Sequence, residues 1–330
     1  MIISRTPFRI SFFGGGTDYP AWYNDHEGAV LGTTINKYCY ISLRYLPPFF
    51  DHKSRIIYSK MEHVSKIDEI DHPAAREVLR YMKVKKGVEI HHDGDLPART
   101  GLGSSSAFTV GLLHAIYALQ GKMVAKEQLA REAIYVEQTM CKENVGCQDQ
   151  MFAAYGGFNF IKFGGRDHLE TRELTMPCGQ LQALQKHMML YFTGFSRQAS
   201  EIAAAQIKNT PKKKKELKSM HQMVFQAMKI LDGNRIGDFG ELLNDSWQIK
   251  RTLSDKITNS HLDDIYNAAM RSGALGGKLL GAGGGGFMLF FVPPEKQPAV
   301  KKKLKKLLMV PFQFENLGTR IIFYQPNGIM

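Results

Sequence analysis

Cysteine is scarce in this chain, and its spacing serves no common purpose. Cys39, Cys141, Cys147 and Cys178 form no C-x-x-C pair and have no histidines at zinc-ligand spacing. That pattern argues against a zinc site and fits reduced thiols in a cytosolic setting. Long apolar runs are missing as well. None approaches the ~20 residues that a membrane-spanning helix needs. The opening Met1-Ile2-Ile3-Ser4-Arg5 is not a basic segment leading into a long apolar core, so no secretory leader is expected. A cytoplasmic protein without membrane attachment follows. Acidic residues are the minority: 31 Asp and Glu against 43 Lys and Arg leave a net charge of +12. Such an excess suits anionic partners. Much of it, however, sits in lysine runs at 212–215 and at 301–303, 305 and 306. Both runs fall on predicted helices and read as solvated faces. No nucleic-acid-binding signature accompanies them, so charge is the sole argument for such a partner, and none is expected. Internal repeats and low-complexity linkers are absent too.

What is present is ample for a large core. The chain has 330 residues, 44% of them apolar, enough for two units. Segments 8–13, 29–36, 38–46, 55–59 and 87–91 are rich in β-branched and aromatic residues and predict strands. Segments 74–83 and 126–140 predict helices, and 157–163 a further strand. A second series opens with a strand at 188–192. Long helices across 197–253 follow, punctuated by Pro211 and by Gly233-Asn234. Then come a helix at 261–271, a strand at 287–292, a lysine-rich helix and a last strand at 321–324. The expected class is α+β, with units at 1–183 and 184–330.

Residues 96–107, Leu-Pro-Ala-Arg-Thr-Gly-Leu-Gly-Ser-Ser-Ser-Ala, say most about function. They lead into an apolar run, 107–119, that is too long for an average strand and contains no proline. A buried helix is the better reading. The serines then fall at a helix start, where N–H groups lack partners and the dipole is positive. A glycine-rich approach to such an end is an anion site, usually for phosphate. A single capping serine would explain a plain core helix. Three serines after Gly101 and Gly103 fit that poorly. The ending lacks G-K-[ST], so this is not a P-loop, and it does not match the dinucleotide fingerprint. Two further glycine-rich segments abut apolar strands: Gly14-Gly15-Gly16-Thr17-Asp18-Tyr19-Pro20, and Gly281-Ala282-Gly283-Gly284-Gly285-Gly286. Consecutive glycines leave bare backbone that can approach a ligand closely.

Taken in order, these three segments resemble the motifs of the galactokinase, homoserine kinase, mevalonate kinase and phosphomevalonate kinase (GHMP) superfamily. The resemblance spans about residues 8–290 and implies a two-domain GHMP kinase fold. Its N-terminal domain would be like domain 2 of ribosomal protein S5 and its C-terminal domain ferredoxin-like, with the active site between them. It implies ATP and Mg2+, with Arg99, Thr100, Gly101, Leu102, Gly103, Ser104, Ser105 and Ser106 holding the nucleotide phosphates. The segment Val145-Gly146-Cys147-Gln148-Asp149-Gln150 looks like the catalytic-aspartate motif of the sugar-kinase branch. Asp149 would take the acceptor hydroxyl's proton, and Arg9 would stabilise the developing charge. Ser105 and Glu137 are the implied metal ligands; Ser104 and Ser106 compete with the first, Glu127 and Glu132 with the second.

For the acceptor, Asp18 suits a sugar diol better than an isoprenoid or an amino acid. Gly15, Gly16, Thr17, Gly283, Gly284 and Gly285 are the other expected substrate contacts. Galactokinases carry a Glu-His pair where this chain has Gly15-Gly16. The string Phe-Arg-Ile-Ser-Phe-Phe-Gly-Gly-Gly-Thr-Asp-Tyr-Pro instead resembles the D-glycero-D-manno-heptose 7-phosphate kinases, which phosphorylate the anomeric hydroxyl. In Thr193-Gly194-Phe195-Ser196-Arg197, Arg197 would bind the sugar's distal phosphate bidentately. The expected partners are ATP and a phosphorylated sugar, and a homodimer stays open. The competing readings are a fucose- or galactose-like sugar kinase and a non-catalytic sugar–ATP sensor on the same fold.

Overall fold

The computed structural model describes residues 1–98, 100–165, 168–194, 199–233 and 235–326. Its strands are β1 Ile2–Phe13, β2 Gly28–Tyr45, β3 Ser54–Ile57, β4 Met61–Val64, β5 Val88–Gly94, β6 Phe158–Gly164, β7 His168–Glu173, β8 Met188–Gly194, β9 Gly276–Leu279, β10 Gly286–Phe291, β11 Leu308–Met309, β12 Phe314–Glu315 and β13 Arg320–Tyr324. Its helices are α1 Pro20–Tyr23, α2 Pro73–Tyr81, α3 Ser104–Leu119, α4 Lys126–Tyr135, α5 Gln148–Tyr155, α6 Cys178–Lys186, α7 Ala199–Asn209, α8 Lys214–Asp232, α9 Ile236–Lys250, α10 Ser260–Arg271 and α11 Gln297–Lys303. Among the described residues, no helix is long and apolar enough to cross a membrane.

The strands form two sheets. The larger has nine strands, with β13-β1-β2-β5-β3-β4 as its main path and β6, β7 and β12 joined through β2. The smaller runs β11-β8-β10-β9. The strands expected at 29–36 and 38–46 are one continuous strand, β2. Polar Asn36 and Lys37 break the apolar pattern, and the chain absorbs them as a bulge: Pro7 pairs with Tyr38 but Phe8 with Ile35. A bulge bends a strand without ending it. The last strand, expected in the second unit, pairs instead with β1, and β12 pairs with β2. The chain end thus covers the backbone edge that β1 would otherwise leave open.

β1 is buried on both faces from Thr6 onward, so it lacks the alternation of a half-exposed strand. Helices α3, α5, α8 and α9 all contact it. α3 begins at the serines and is apolar almost all round, as a helix inside a core must be. The helix expected over 126–140 is α-helical only to Tyr135; Val136–Met140 widens into a π-helical turn. Such turns commonly mark functional positions, and this one turns Glu137 fully inward. Below the site an aromatic cluster joins both halves. The Phe12 ring lies 5.5 Å from Phe158, 5.4 Å from Phe239 and 6.3 Å from Phe314.

In the second half, α9 and β9 approach until their backbones nearly touch. A Cβ on Gly276 would stand 2.0 Å from the Gly240 carbonyl oxygen and 2.8 Å from the Asn244 nitrogen. Gly276→Ala should therefore cost about 1–3 kcal/mol through overpacking. At Gly237, in the first turn of α9, an added Cβ would meet nothing within 4 Å, and the backbone is not left-handed. Gly237→Ala should be neutral or stabilising by up to about 1 kcal/mol. Urea denaturation midpoints check both; equal effects would mean that the contact does not limit packing.

Candidate active site

β1 carries Arg9 into the middle of the molecule, where it holds two other segments. Its Nε donates to Asp149 Oδ1 at 2.8 Å and its Nη2 to Asp149 Oδ2 at 2.7 Å. Its Nη1 donates to the Gly101 carbonyl at 2.6 Å, and its backbone N–H to the Leu102 carbonyl at 3.0 Å. The strand, the Asp149 segment and the serine-rich loop are thus fixed to one guanidinium. Arg9 is almost fully covered, whereas the Asp149 side chain keeps 25% exposure. The carboxylate therefore remains reachable from outside.

In the serine-rich segment, Thr100 and Leu102 are buried, and the Thr100 hydroxyl donates to the Pro97 carbonyl. Gly103 occupies the N-cap of α3 in a left-handed conformation, φ 77°, and offers no side chain to cap the helix. The first-turn N–H groups of Ser104, Ser105 and Ser106 lie at the helix end where an anion is favoured. Arg99 lies outside the described residues.

The serine that meets Glu137 is Ser106, not Ser105. Ser106 Oγ donates to Glu137 Oε2 at 2.8 Å. Ser105 is exposed, and its carbonyl accepts from the Thr109 hydroxyl. Helical geometry explains the contact: successive side chains rotate about 100°, so one serine of the three faces the buried glutamate. The rival glutamates have other partners. Glu132 accepts from Tyr117 and Gln128, and Glu127 pairs with Arg131 on the surface. Burial pushes the Glu137 carboxyl up to about 7. Its Oε1 has no hydrogen-bond partner. Among the described residues, no group of three or more His, Cys, Asp or Glu gathers as a metal site. Two hard oxygens, Ser106 Oγ and Glu137 Oε1, suit magnesium, which takes its other ligands from phosphates and water.

Two glutamines flanking Asp149 hold the neighbouring carboxylates, a role their sequence positions did not reveal. Gln150 Nε2 donates to Glu137 Oε2, and Gln148 Nε2 donates to Asp18 Oδ2 at 2.8 Å. Asp18 Oδ1 accepts from the Gly16 N–H at 2.8 Å. Burial raises the Asp18 carboxyl above its usual range and Asp149 adds to the rise; the Gly16 and Gln148 hydrogen bonds oppose it. Thr17, expected among the substrate contacts, is instead a brace of the loop. It is fully buried, and its hydroxyl is engaged with the Gly14 carbonyl, the Ala29 carbonyl and the Ala29 N–H. A hydroxyl so occupied has little left for a ligand.

The glycine run at 281–286 packs against the serine-rich loop. A Cβ on Gly281 would stand 2.4 Å from Gly101 Cα, and one on Gly286 2.3 Å from the Thr100 carbonyl oxygen. The Gly284 N–H donates to the Ile257 carbonyl, and a Cβ on Gly283 would meet Ile257 at 2.8 Å. The described contacts of Gly283 and Gly284 are thus with Ile257 rather than with Asp18. Gly285 takes an extended positive φ of 153° between them and Gly286. Arg197 lies outside the described residues.

Two buried lysines also escaped the sequence reading. Lys250 Nζ, at the end of α9, donates to the carbonyls of Leu279 at 3.0 Å and Gly281 at 2.6 Å. Lys278 Nζ donates to the Phe12 carbonyl at 2.6 Å. Neither makes a salt bridge among the described residues. Nothing in sequence distinguishes them from surface lysines except the apolar neighbours of Lys278.

Burial, reinforced by Arg9 and opposed by Asp18, pushes the Lys250 ammonium down to about 8 from an unfolded value of 10.5. Between those values the folded chain binds fewer protons at this site than the unfolded chain, so stability should rise with pH across the window. The gain is at most about 1.4 kcal/mol per pH unit. Buried cysteines and tyrosines titrate nearby in the opposite sense, so the test is a difference. Wild type should gain on Lys250→Met between pH 8 and 10 in chemical denaturation. Parallel curves would show that Lys250 keeps its ordinary proton affinity.

Known proteins resemble this chain at several levels. A family model described as the GHMP kinases N terminal domain matches residues 69–157, and one described as GHMP kinases C terminal matches residues 226–308. The chain is 31% identical over 294 residues to a D-glycero-alpha-D-manno-heptose 7-phosphate kinase of Campylobacter jejuni, covering 86% of each. Mevalonate kinase of Pyrococcus abyssi is 28% identical over 236 residues, 65% of this chain and 66% of that one. Among solved structures, a D-glycero-D-manno-heptose 1-phosphate kinase from Bacteriodes thetaiotaomicron superimposes with a TM-score of 0.77 at 25% identity, covering 97% of this chain and 98% of that one. The motifs, the two-sheet α+β architecture and these matches agree: the chain belongs to the GHMP kinases, a family of ATP-dependent phosphotransferases.

Proposed function

We propose that this protein uses ATP to phosphorylate the anomeric hydroxyl of D-glycero-D-manno-heptose 7-phosphate, giving the 1,7-bisphosphate. The observation that carries the reading is the Arg9–Asp149 pair seated between the nucleotide loop and Asp18. A half-open carboxylate held by an arginine suits proton removal from an acceptor hydroxyl. The heptose substrate is supported by the Campylobacter relative, which bears that activity in its name.

In this reading, Asp149 takes the hydroxyl proton as the acceptor oxygen bonds to the γ-phosphorus and the bond to the β-phosphate oxygen breaks, releasing ADP. Arg9 keeps the carboxylate in one orientation and adds positive charge beside the transferring group. Helix α3 receives the phosphates at its open N-terminus. Mg2+, when bound, neutralises phosphate charge, and Ser106 and Glu137 would hold it. The segment after β8 takes the distal phosphate, with Arg197 as its ligand.

An ADP-release assay over a sugar panel tests the substrate. Turnover is expected on heptose 7-phosphate. Turnover on free fucose or galactose with none on the heptose would overturn the assignment, and ATP binding without turnover on any sugar would favour a sensor. Asp149→Asn should keep nucleotide affinity and lose ~10²–10⁴ in kcat. Normal turnover in the Asp149→Asn enzyme would remove Asp149 from the base role.

A further inference from the structure

Lysine is seldom buried, and a buried ammonium is costly unless it is paired and hydrogen-bonded. Lys250 is 6% exposed and Lys278 2%. Their hydrogen bonds among the described residues go to backbone carbonyls, not to carboxylates. Repulsion from Arg9 adds to the cost at both positions, and Asp18 offsets part of it. An unbranched apolar side chain such as methionine would fill similar space without burying a charge. The two ammoniums are therefore explained by what their carbonyl partners hold.

Those partners lead to different loops. Lys278 lies on β9, yet its Nζ donates at 2.6 Å to the Phe12 carbonyl, one residue from the end of β1. The segment Gly14 to Asp18 runs directly from that strand end. Lys250 is the last residue of α9. A lysine there commonly turns to the last carbonyls of its own helix. Lys250 instead reaches the carbonyls of Leu279 and Gly281, 29 and 31 residues away, the second at 2.6 Å. Gly281 lies so close to Gly101 that a Cβ on it would stand 2.4 Å from Gly101 Cα. The Gly101 carbonyl in turn accepts from Arg9 Nη1. One lysine thus bears on the serine-rich loop and the other on the loop that carries Asp18.

We propose that Lys250 and Lys278 are positioning residues for phosphoryl transfer, each serving one of the two substrates. Lys250 fixes the serine-rich loop through Gly281, and Lys278 fixes the Asp18 loop through the end of β1. Neither needs to touch a substrate. The proposal rests on the sugar-kinase reading but not on the identity of the sugar.

The test uses Lys250→Met and Lys278→Met, with ATP and whichever sugar the wild type accepts. Lys250→Met should raise the KM and calorimetric Kd for ATP roughly tenfold or more, since small displacements of a binding loop are costly. Its sugar values should stay within about twofold. Lys278→Met should show the reverse split. Amide hydrogen exchange, read by mass spectrometry, should quicken in residues 100–106 of the first variant and in residues 14–18 of the second. Lys250→Gln and Lys278→Gln are neutral alternatives of similar bulk for a methionine variant that does not fold.

Unchanged affinities in folded variants would overturn the proposal. So would equal losses for ATP and sugar in either variant, which would make that lysine a general support of the fold. Failure of both the Met and the Gln variant to fold at one position would mean the same for that lysine. The substrate reading fails separately. Turnover on a sugar other than the heptose, with the split intact, removes the heptose assignment and keeps the positioning roles. Turnover on the heptose without the split does the reverse.

Discussion

The guanidinium of Arg9 is the contact on which the site depends. It is buried, its charge is balanced by Asp149, and its Nη1 donates to the Gly101 carbonyl of the serine-rich loop. A buried ion pair is seldom a source of net stability, because both charges lose water. What it provides here is position. Three segments far apart in sequence can be placed against one planar, five-donor group in a single way. The strand is held by its own sheet, so the loop and the first turn of α5 take their places from it.

The same logic extends along α5. Gln148, Asp149 and Gln150 are consecutive residues of its first turn and point in three directions. Each engages a different charged group: Asp18, Arg9 and Glu137. One helical turn therefore sets the distances between the carboxylate facing the sugar loop, the proposed base and the carboxylate facing the serines. The buried lysines complete the frame from the other half of the chain. Lys278 grips the end of β1 and Lys250 the glycine run that underlies the nucleotide loop. Among the described residues neither ammonium has a carboxylate in salt-bridge contact, and Asp18 is the anion that acts on both. With Arg9 they set three basic side chains near the carboxyls of Asp18, Asp149 and Glu137, and burial lowers the proton affinity of both lysines.

Much of this was legible in the sequence where the signal was local. The serine-rich helix start, the glycine runs and the aspartate motif are contiguous strings, and the structure brings them together around Arg9. The alternation of apolar residues found most long elements. It failed where tertiary contacts overrode pattern, at the bulge near Asn36 and at the π-helical turn around Glu137; it found β13, but not that β13 pairs with β1. Ser106 could not be separated from Ser105 by sequence, because the choice depends on which face of α3 meets Glu137. Thr17 looked like a ligand because it lies inside a binding motif, yet its hydroxyl closes a turn. Lys250 and Lys278 were invisible because burial is a property of the fold, and lysine is ordinarily a surface residue.

Glycine-rich segments invite one explanation for all their glycines, and here that explanation divides. Gly281 and Gly286 are required by the protein itself: any side chain would strike the backbone of Thr100 or Gly101. Their role is structural, and it lets the second glycine run pack directly on the serine-rich loop. Gly15 is different, since a methyl group would fit without strain. The close approach of backbones therefore accounts for Gly281 and Gly286 but not for Gly15, and a glycine-rich string alone does not tell the two cases apart.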